Sequence, residues 1–249
     1  MTPPGVLGQT PRGPIFGTPG AGKTTFLRLF EKFARKRGIK TLFIKMKECS
    51  EEVAEIQIPN LEERIVRKIS TVLHFTTSNT LKPSFDLLIT SECSRIQCLI
   101  DFVEKKYRSE VSGWIASRLN ALQKFFIRDD KLLIYLCLEE LDELIKRMTI
   151  GIIYALRSSI PYLLVLDDAL AVVLNTLYGE IWPATTRPYI VSFNFFPREN
   201  EILKFDPVII APGGRALYKL AKPDKYLIMY RGHEWEIDAQ EVYALAKSL

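Results

Sequence analysis

The spacing of apolar residues along this chain predicts strands and helices in alternation. After position 22, four residues recur at i, i+3, i+4 and i+7, as on the buried face of a helix: Phe26, Leu29, Phe30 and Phe33. The stretch PIF at 14–16 predicts a short strand before that helix. Further buried strands are predicted at 41–45, 162–166 and 189–193. This alternation favours an α/β fold with a mainly parallel central sheet.

The chain after position 194 is predicted to form short strands rather than a helical lid. The strand-forming stretches are DPVIIA, ALYKLA and KYLIMYRGHEWEID, and Arg231–Gly232 in the last of them predicts a hairpin turn. We therefore expect a β-rich C-terminal extension of the sheet.

A mostly helical segment is predicted between the second and third strands. Asn60 is expected to cap a helix that runs to about Leu73. Longer helices are expected at Ser94–Phe126, with an interruption near Ser112–Gly113, and at Leu138–Arg157; the stretch KLLIYLCL before the last one could itself be a strand. We predict one domain over residues 1–249, with a helical insertion at about 55–130.

The stretch FGTPGAGKTTF, at the start of the first predicted helix, matches the phosphate-binding template GxxxxGK[ST]. Glycines let backbone N–H groups point at phosphate oxygens, and a helix N-terminus adds positive potential. The lysine brings a charge to the β- and γ-phosphates, and the threonine hydroxyl coordinates Mg²⁺. The residues expected to bind the nucleotide are Gly17, Thr18, Pro19, Gly20, Ala21, Gly22, Lys23, Thr24 and Thr25.

An acidic residue at the end of a neighbouring strand has to complete such a site. Asp167 and Asp168 follow the apolar run YLLVL, which favours Asp167 as a Mg²⁺ ligand through water and Asp168 as the general base. A second stretch competes, and its acids are Glu139, Glu140, Asp142 and Glu143. Asn194, at the tip of the strand at 189–193, could contact the γ-phosphate or the attacking water, or it could simply form a turn before Pro197.

The motifs GTPGAGKT, LLVLDDA and YIVSFN, in this order, resemble the P-loop ATPase branch with an additional strand between the cradle strand and the acidic strand. That branch includes AAA+ replication initiators and helicase loaders, and HerA/FtsK-type motors. The likeness extends to small ATPases of archaeal viruses and plasmids. It implies a three-layer P-loop NTPase sandwich that binds ATP and Mg²⁺, works as a ring or helical homo-oligomer, and is triggered by a neighbour's arginine. Arg187, Arg198 and Arg215 are the candidates for that arginine, with Arg215 preferred.

Positive charge is concentrated in the first 48 residues. This segment contains ten Lys/Arg and two acidic residues, Glu31 and Glu48. Its local net charge is therefore +8, in a chain with a net charge of +5. This asymmetry favours a nucleic-acid partner. The alternative is that the basic residues near the end of the first helix only complement its dipole. These residues are Arg35, Lys36, Arg37 and Lys40.

Other sequence features narrow the setting of the protein. No apolar run is long enough to span a bilayer, and the first residues lack a signal-peptide segment, so we expect a cytoplasmic protein without membrane insertion. The four cysteines show no CxxC spacing and predict buried, reduced thiols rather than a zinc site.

Together these patterns predict a Mg²⁺-dependent ATPase that remodels, loads onto or moves along DNA in replication or packaging, with a helicase or packaging component as a possible protein partner. A small-molecule or nucleoside kinase, and a slow nucleotide-dependent assembly switch, are the alternatives.

Overall fold

The backbone contacts of this chain divide it into two units. The computed structural model describes residues 13–76, 85, 88, 91–168, 189–194, 208–213, 223–230 and 232–248. The first unit comprises the chain up to Cys49 and from Pro161 onwards, and the second comprises Ser50–Ile160. The prediction of one domain with an insertion at about 55–130 stays a prediction, but the second unit is longer than that range.

A sheet of seven described strands forms the centre of the first unit. The strands are β1 (Gly13–Phe16), β2 (Thr41–Lys45), β6 (Leu163–Asp167), β7 (Tyr189–Phe193), β8 (Val208–Ile210), β9 (Lys225–Tyr230) and β10 (His233–Asp238). Their order across the sheet is β10-β9-β8-β1-β7-β6-β2.

The middle of this sheet is parallel, as the sequence predicted. β1 pairs in parallel with β7 and β8, and β6 pairs in parallel with β7 and β2. β7 therefore lies between β1, which leads into the phosphate-binding stretch, and β6, which ends in Asp167. Since the carboxyl ends of parallel strands share one edge, the residues after these strands are brought to the same side of the sheet.

The C-terminal strands extend the sheet on the other side of β1. β9 pairs antiparallel with β8 and β10, and Tyr230 lies opposite His233. The hairpin predicted around Arg231–Gly232 is thus confirmed, although Arg231 itself lies outside the described residues. The predicted strand ALYKLA and the stretch after Asp168 lie outside them too.

Two helices of the first unit pack together, and only the first was predicted. Helix α1 (Lys23–Lys36) follows the phosphate-binding stretch, and helix α7 (Ala239–Ser248) ends the described chain. Lys32 Nζ donates a hydrogen bond of 2.7 Å to the Ala246 carbonyl in the last turn of α7. The apolar face of α1, including Phe26 and Phe30, joins a core with strand residues such as Ile228. The expectation of an extension without a closing helix was wrong, and the three-layer arrangement stays a prediction.

The second unit contains a sheet as well as helices. β3 (Val53–Gln57) and β4 (Ile127–Arg128) both pair antiparallel with β5 (Lys131–Tyr135). The stretch KLLIYLCL therefore does contain a strand. The sequence analysis did not predict β3, although the pattern EVAEIQI alternates as an amphipathic strand does.

The helices of the second unit differ from their predicted bounds. They are α2 (Leu61–Val66), α3 (Ile69–His74), α4 (Ile96–Lys106), α5 (Ser109–Phe126) and α6 (Glu143–Ala155). Asn60 precedes α2 with a left-handed φ of 54°, and its side chain makes no capping hydrogen bond. The break between α4 and α5 falls at Tyr107–Arg108, where the backbone is extended, and not at Ser112–Gly113.

Gly151 lets helix α6 approach helix α3 closely. A Cβ at this position would lie 2.9 Å from the Val72 carbonyl oxygen and 3.3 Å from the Phe75 side chain. No residue larger than glycine fits there without a shift of backbone, which explains a glycine in the middle of a helix.

The cysteines are oxidised, so the prediction of reduced thiols was wrong. Cys93 and Cys98 form a disulfide with a Cα–Cα distance of 5.5 Å, and no cysteine in the described part of the chain is a free thiol. No described helix is both long and apolar enough to cross a membrane.

Candidate nucleotide-binding site

The phosphate-binding stretch forms a tight loop between β1 and α1. Gly20 and Gly22 have φ values of 79° and 80°, in the left-handed region that glycine adopts without cost. The Ala21 N–H donates to the Thr18 carbonyl at 3.2 Å, and the Phe26 N–H donates to the Gly22 carbonyl at 3.0 Å to begin α1. The sequence template therefore has the strand–loop–helix context that its chemistry requires.

The Lys23 side chain lies along the inside of this loop. It is 5% exposed, and its ammonium donates to the carbonyls of Gly17 at 3.0 Å and Thr18 at 2.7 Å. Burial lowers the pKa of Lys23 below its ordinary value, while the charges of Asp168 and Asp167 act in the opposite direction. The ammonium is suited to bind phosphate oxygens, whereas the nearby carboxylates are suited to bind a cation.

The buried Ser192 hydroxyl organises the acidic pair at the end of β6. Ser192 Oγ donates to Asp167 Oδ1 at 2.7 Å and accepts from the Asp168 N–H at 2.9 Å. Asp167 is only 6% exposed, whereas Asp168 is partly exposed and has a left-handed φ of 59°. Sequence reasoning missed Ser192, yet a polar residue inside the buried run YIVSF was the signal that could have found it.

These groups converge on one cavity of about 420 Å³ in the first unit. Its lining includes most of the predicted binding residues together with Asp167, Asp168 and Asn194. The lining residues are Pro19, Gly20, Gly22, Lys23, Thr24, Thr25, Lys45, Lys47, Glu48, Asp167, Asp168, Asn194 and Tyr243. Gly17, Thr18 and Ala21 belong to the loop without lining the cavity.

The competing acids lie in the second unit. The Asp142 carboxylate caps α6 by accepting from the Leu144 N–H at 2.8 Å, and Glu143 accepts from Arg147 at 2.7 Å. Neither carboxylate lines the cavity, and neither do Glu139 and Glu140. The three arginines considered for action between subunits, Arg187, Arg198 and Arg215, lie outside the described residues.

Two lysines that the sequence analysis left out also line the cavity. Lys45 is the register partner of Asp167 across the β2–β6 pair, and its ammonium donates to the Glu48 carbonyl at 3.2 Å. Lys47 is exposed. The signal was the run KMKE, which begins at the last residue of a predicted strand, because the ends of parallel strands gather at one edge. Lys45 and Lys47 therefore add positive charge to the cavity that the acidic pair lines.

Two tyrosines from the C-terminal extension approach the loop at Gly22. The Tyr226 hydroxyl, from β9, donates to the Gly22 carbonyl at 2.8 Å, and burial raises the pKa of this tyrosine. A Cβ at Gly22 would lie 2.4 Å from the Tyr226 hydroxyl and 3.0 Å from the Tyr243 hydroxyl. Glycine is needed here both for φ and for space. Sequence reasoning missed both tyrosines because the contact joins residues about 200 positions apart.

The donor set at this edge of the sheet fits a nucleotide with Mg²⁺. Turned backbone and the Lys23 ammonium suit phosphate oxygens, and the Thr24 hydroxyl and Asp167 carboxylate are hard oxygen ligands of the kind that Mg²⁺ prefers. The strand–loop–helix unit and the acids two strands away define a mixed α/β protein with a phosphate-binding loop.

Comparison with known proteins does not assign this chain to a family. The chain matches no protein-family model, and no curated protein matches its sequence. Among solved structures, it is similar to VirB4 of Thermoanaerobacter pseudethanolicus, with a TM-score of 0.47 and 11% identity over 91% of this chain and 88% of that chain. A likeness of this degree does not by itself assign a function.

Proposed function

We propose that this protein is a Mg²⁺-dependent ATPase. The observation that carries the proposal is the convergence of Lys23 and Thr24 with Asp167 and Asp168 on one cavity, across the intervening strand β7. A phosphate-binding loop alone would fit any nucleotide-binding protein. Acids held opposite the loop add the parts that hydrolysis needs: a metal ligand and a base for water.

Each residue has a role that follows from its position. Lys23 neutralises the β- and γ-phosphates, and the Thr24 hydroxyl and the Asp167 carboxylate are the groups that would hold Mg²⁺. Asp168 is the more exposed of the two acids, and it takes the proton of the attacking water. Asn194, at the end of the strand between loop and acids, orients that water or the γ-phosphate. When bound, Mg²⁺ would neutralise the charge that develops on the phosphates during transfer of the γ-phosphoryl group to water.

Two substitutions test this assignment by phosphate release and ATP binding. Lys23→Ala should abolish hydrolysis and weaken ATP binding, because the phosphate charge loses its partner. Asp168→Asn should leave ATP bound while hydrolysis falls by about 10² to 10⁴, the range expected for loss of a general base.

Glu140→Gln is the matched control, since it removes one carboxylate charge from the competing acidic stretch. It should hydrolyse ATP at the parent rate. Normal turnover in Asp168→Asn together with loss of turnover in Glu140→Gln would show that the acids were wrongly assigned. Transfer of phosphate to a small acceptor would identify a kinase instead, and slow turnover unaffected by DNA would identify an assembly switch.

We further propose that ATP hydrolysis is coupled to remodelling, loading or translocation on DNA by a ring or helical homo-oligomer. The support is electrostatic. Lys36, at the carboxyl end of α1, and Arg37 and Lys40, just beyond it, are exposed, and they belong to the part of the chain that carries a net charge of +8. A cluster of this kind attracts a polyanion before any specific contact forms. Stimulation of phosphate release by duplex DNA is the first test.

A further inference from the structure

Tyr243 is an exposed aromatic residue at the edge of the nucleotide cavity. Its relative exposure is 43%, and among the large hydrophobic residues that the structure describes only Val53 is also exposed. Val53 belongs to the second unit, whereas Tyr243 lines the cavity with Gly22 and Thr25. A partly exposed aromatic ring beside a binding cavity is a surface that a flat ligand group can stack on.

The sheet order indicates which end of a nucleotide Tyr243 would meet. The phosphate loop follows β1, and the acids that take the terminal phosphate and metal follow β6, on one side of β1. The nucleoside end of the same ligand must then lie on the other side. β8, β9 and β10 occupy that side of the sheet, and α7 follows them in the chain and packs against β10 and α1.

We propose that Tyr243 stacks on the base of the bound nucleotide, so that α7 supplies the base-binding part of the site. This inference rests on the proposed function and names a contact residue of the same site. The Tyr243 hydroxyl lies near Gly22, at 3.0 Å from the position that a Cβ would take there. The Tyr243 ring is therefore next to the end of the phosphate loop, where α1 begins. Stacking uses the π face that every base has, so it binds the base without reading its identity.

The test compares ligands with and without a base. Calorimetric affinities for Mg·ATP and for inorganic triphosphate with Mg²⁺ would be measured for the parent, Tyr243→Ala and Tyr243→Phe. Tyr243→Ala should lower the affinity for ATP by about 5- to 150-fold, the loss expected for one base–aromatic stack, and leave triphosphate affinity unchanged. Tyr243→Phe, which keeps the ring, should bind both ligands as the parent does.

Gln240→Ala is the matched control, because Gln240 is an exposed neutral residue of the same helix that does not line the cavity. It should bind both ligands as the parent does. Equal losses for ATP and triphosphate in Tyr243→Ala, or no loss for either, would overturn the stacking inference while the ATPase proposal stands. A parent that binds neither ligand would overturn both.

Discussion

At the scale of single residues, the Ser192 hydroxyl organises the site although its hydrogen bonds go to the acidic pair and not to the phosphate loop. Ser192 is fully buried in β7 and fixes both the Asp167 carboxylate and the Asp168 backbone. Outer partners of this kind orient metal ligands and are worth about 10- to 100-fold in metal affinity or activity. The intervening strand therefore has a direct part in the site, beyond spacing the acids from the loop.

Ser192→Ala should raise the Mg²⁺ concentration needed for half-maximal hydrolysis by about 10-fold, because Asp167 loses the group that orients it. It should also lower the free energy of unfolding by about 1–3 kcal/mol, since a buried acceptor is left unpaired. Mg²⁺ titration of phosphate release and urea unfolding measure the two effects.

The control for this prediction is Thr149→Val, which removes another buried hydroxyl, one that donates to the Ile145 carbonyl in the second unit. It should affect stability only. An unchanged Mg²⁺ requirement in Ser192→Ala, with stability lowered in both variants, would mean that Ser192 has a structural role alone.

At the scale of elements, the C-terminal hairpin and helix hold the phosphate loop. β9 carries Tyr226, whose ring packs on Phe26 of α1 with centroids 4.9 Å apart and whose hydroxyl binds the Gly22 carbonyl. The same carbonyl accepts the Phe26 N–H that starts α1. The antiparallel extension thus fixes the turn from which the helix begins, which orients the loop N–H groups before a ligand arrives.

Tyr226→Phe should lower ATP affinity by about 5-fold, because the ring still packs but the hydrogen bond to Gly22, worth about 1 kcal/mol, is lost. Tyr135→Phe is a closely matched control: its hydroxyl also donates to a backbone carbonyl, that of Phe125, at 3.2 Å in the second unit. Calorimetric ATP titration should show a loss in the first variant only. The same affinity in both would mean that the loop keeps its shape without Tyr226.

At the scale of the whole molecule, charge and chemistry are unevenly divided between the two units. The cavity residues all belong to the first unit. So does the basic cluster at and just beyond the end of α1, which consists of Arg35, Lys36, Arg37 and Lys40. Within that cluster, Arg35 has a structural role. It binds the buried Glu31 carboxylate at 2.7 Å, which Arg28 also contacts at 2.8 Å. Lys36 and Lys40 are therefore better probes of DNA binding than Arg35.

The double variant Lys36→Gln and Lys40→Gln should reduce the salt dependence of duplex DNA binding. If each lysine makes one phosphate contact, the slope of log affinity against log salt should become shallower by about two, since each contact contributes about −0.9. ATP affinity should stay at the parent value. Affinity for a random duplex would be measured at several salt concentrations.

The matched comparison is Lys105→Gln with Lys106→Gln, two exposed lysines of the second unit. If the plot of log affinity against log salt keeps the parent slope for Lys36→Gln with Lys40→Gln but becomes shallower for Lys105→Gln with Lys106→Gln, the DNA contact lies in the second unit. Parallel lines for both pairs would leave the α1 cluster as a complement to the helix dipole.

The sequence predicted most of the features that depend on local pattern, although it missed β3 and α7, and it missed the contacts that join distant parts of the chain. The loop and α1 follow from a motif and from periodicity, and the structure has the strands predicted at 41–45, 162–166 and 189–193 within one residue. Tyr226 and Tyr243 are invisible to such reasoning because their partner at Gly22 is far away in the chain. The predicted helix break was placed near Gly113 because glycine disfavours a helix. The break lies instead at Tyr107–Arg108, since a helix tolerates one exposed glycine at a cost of about 1 kcal/mol.

At Asp168, selection for stability and selection for nucleotide hydrolysis favour different residues. A left-handed φ of 59° costs an aspartate about 1 kcal/mol relative to glycine, so this position stores free energy in the folded protein. Selection for heat resistance alone should therefore favour glycine here, and under the proposed role of Asp168 as the general base that variant would no longer hydrolyse ATP. Directed evolution that screens only for melting temperature should drift toward stable, inactive chains at this residue, and laboratory screens need an activity step to avoid that outcome.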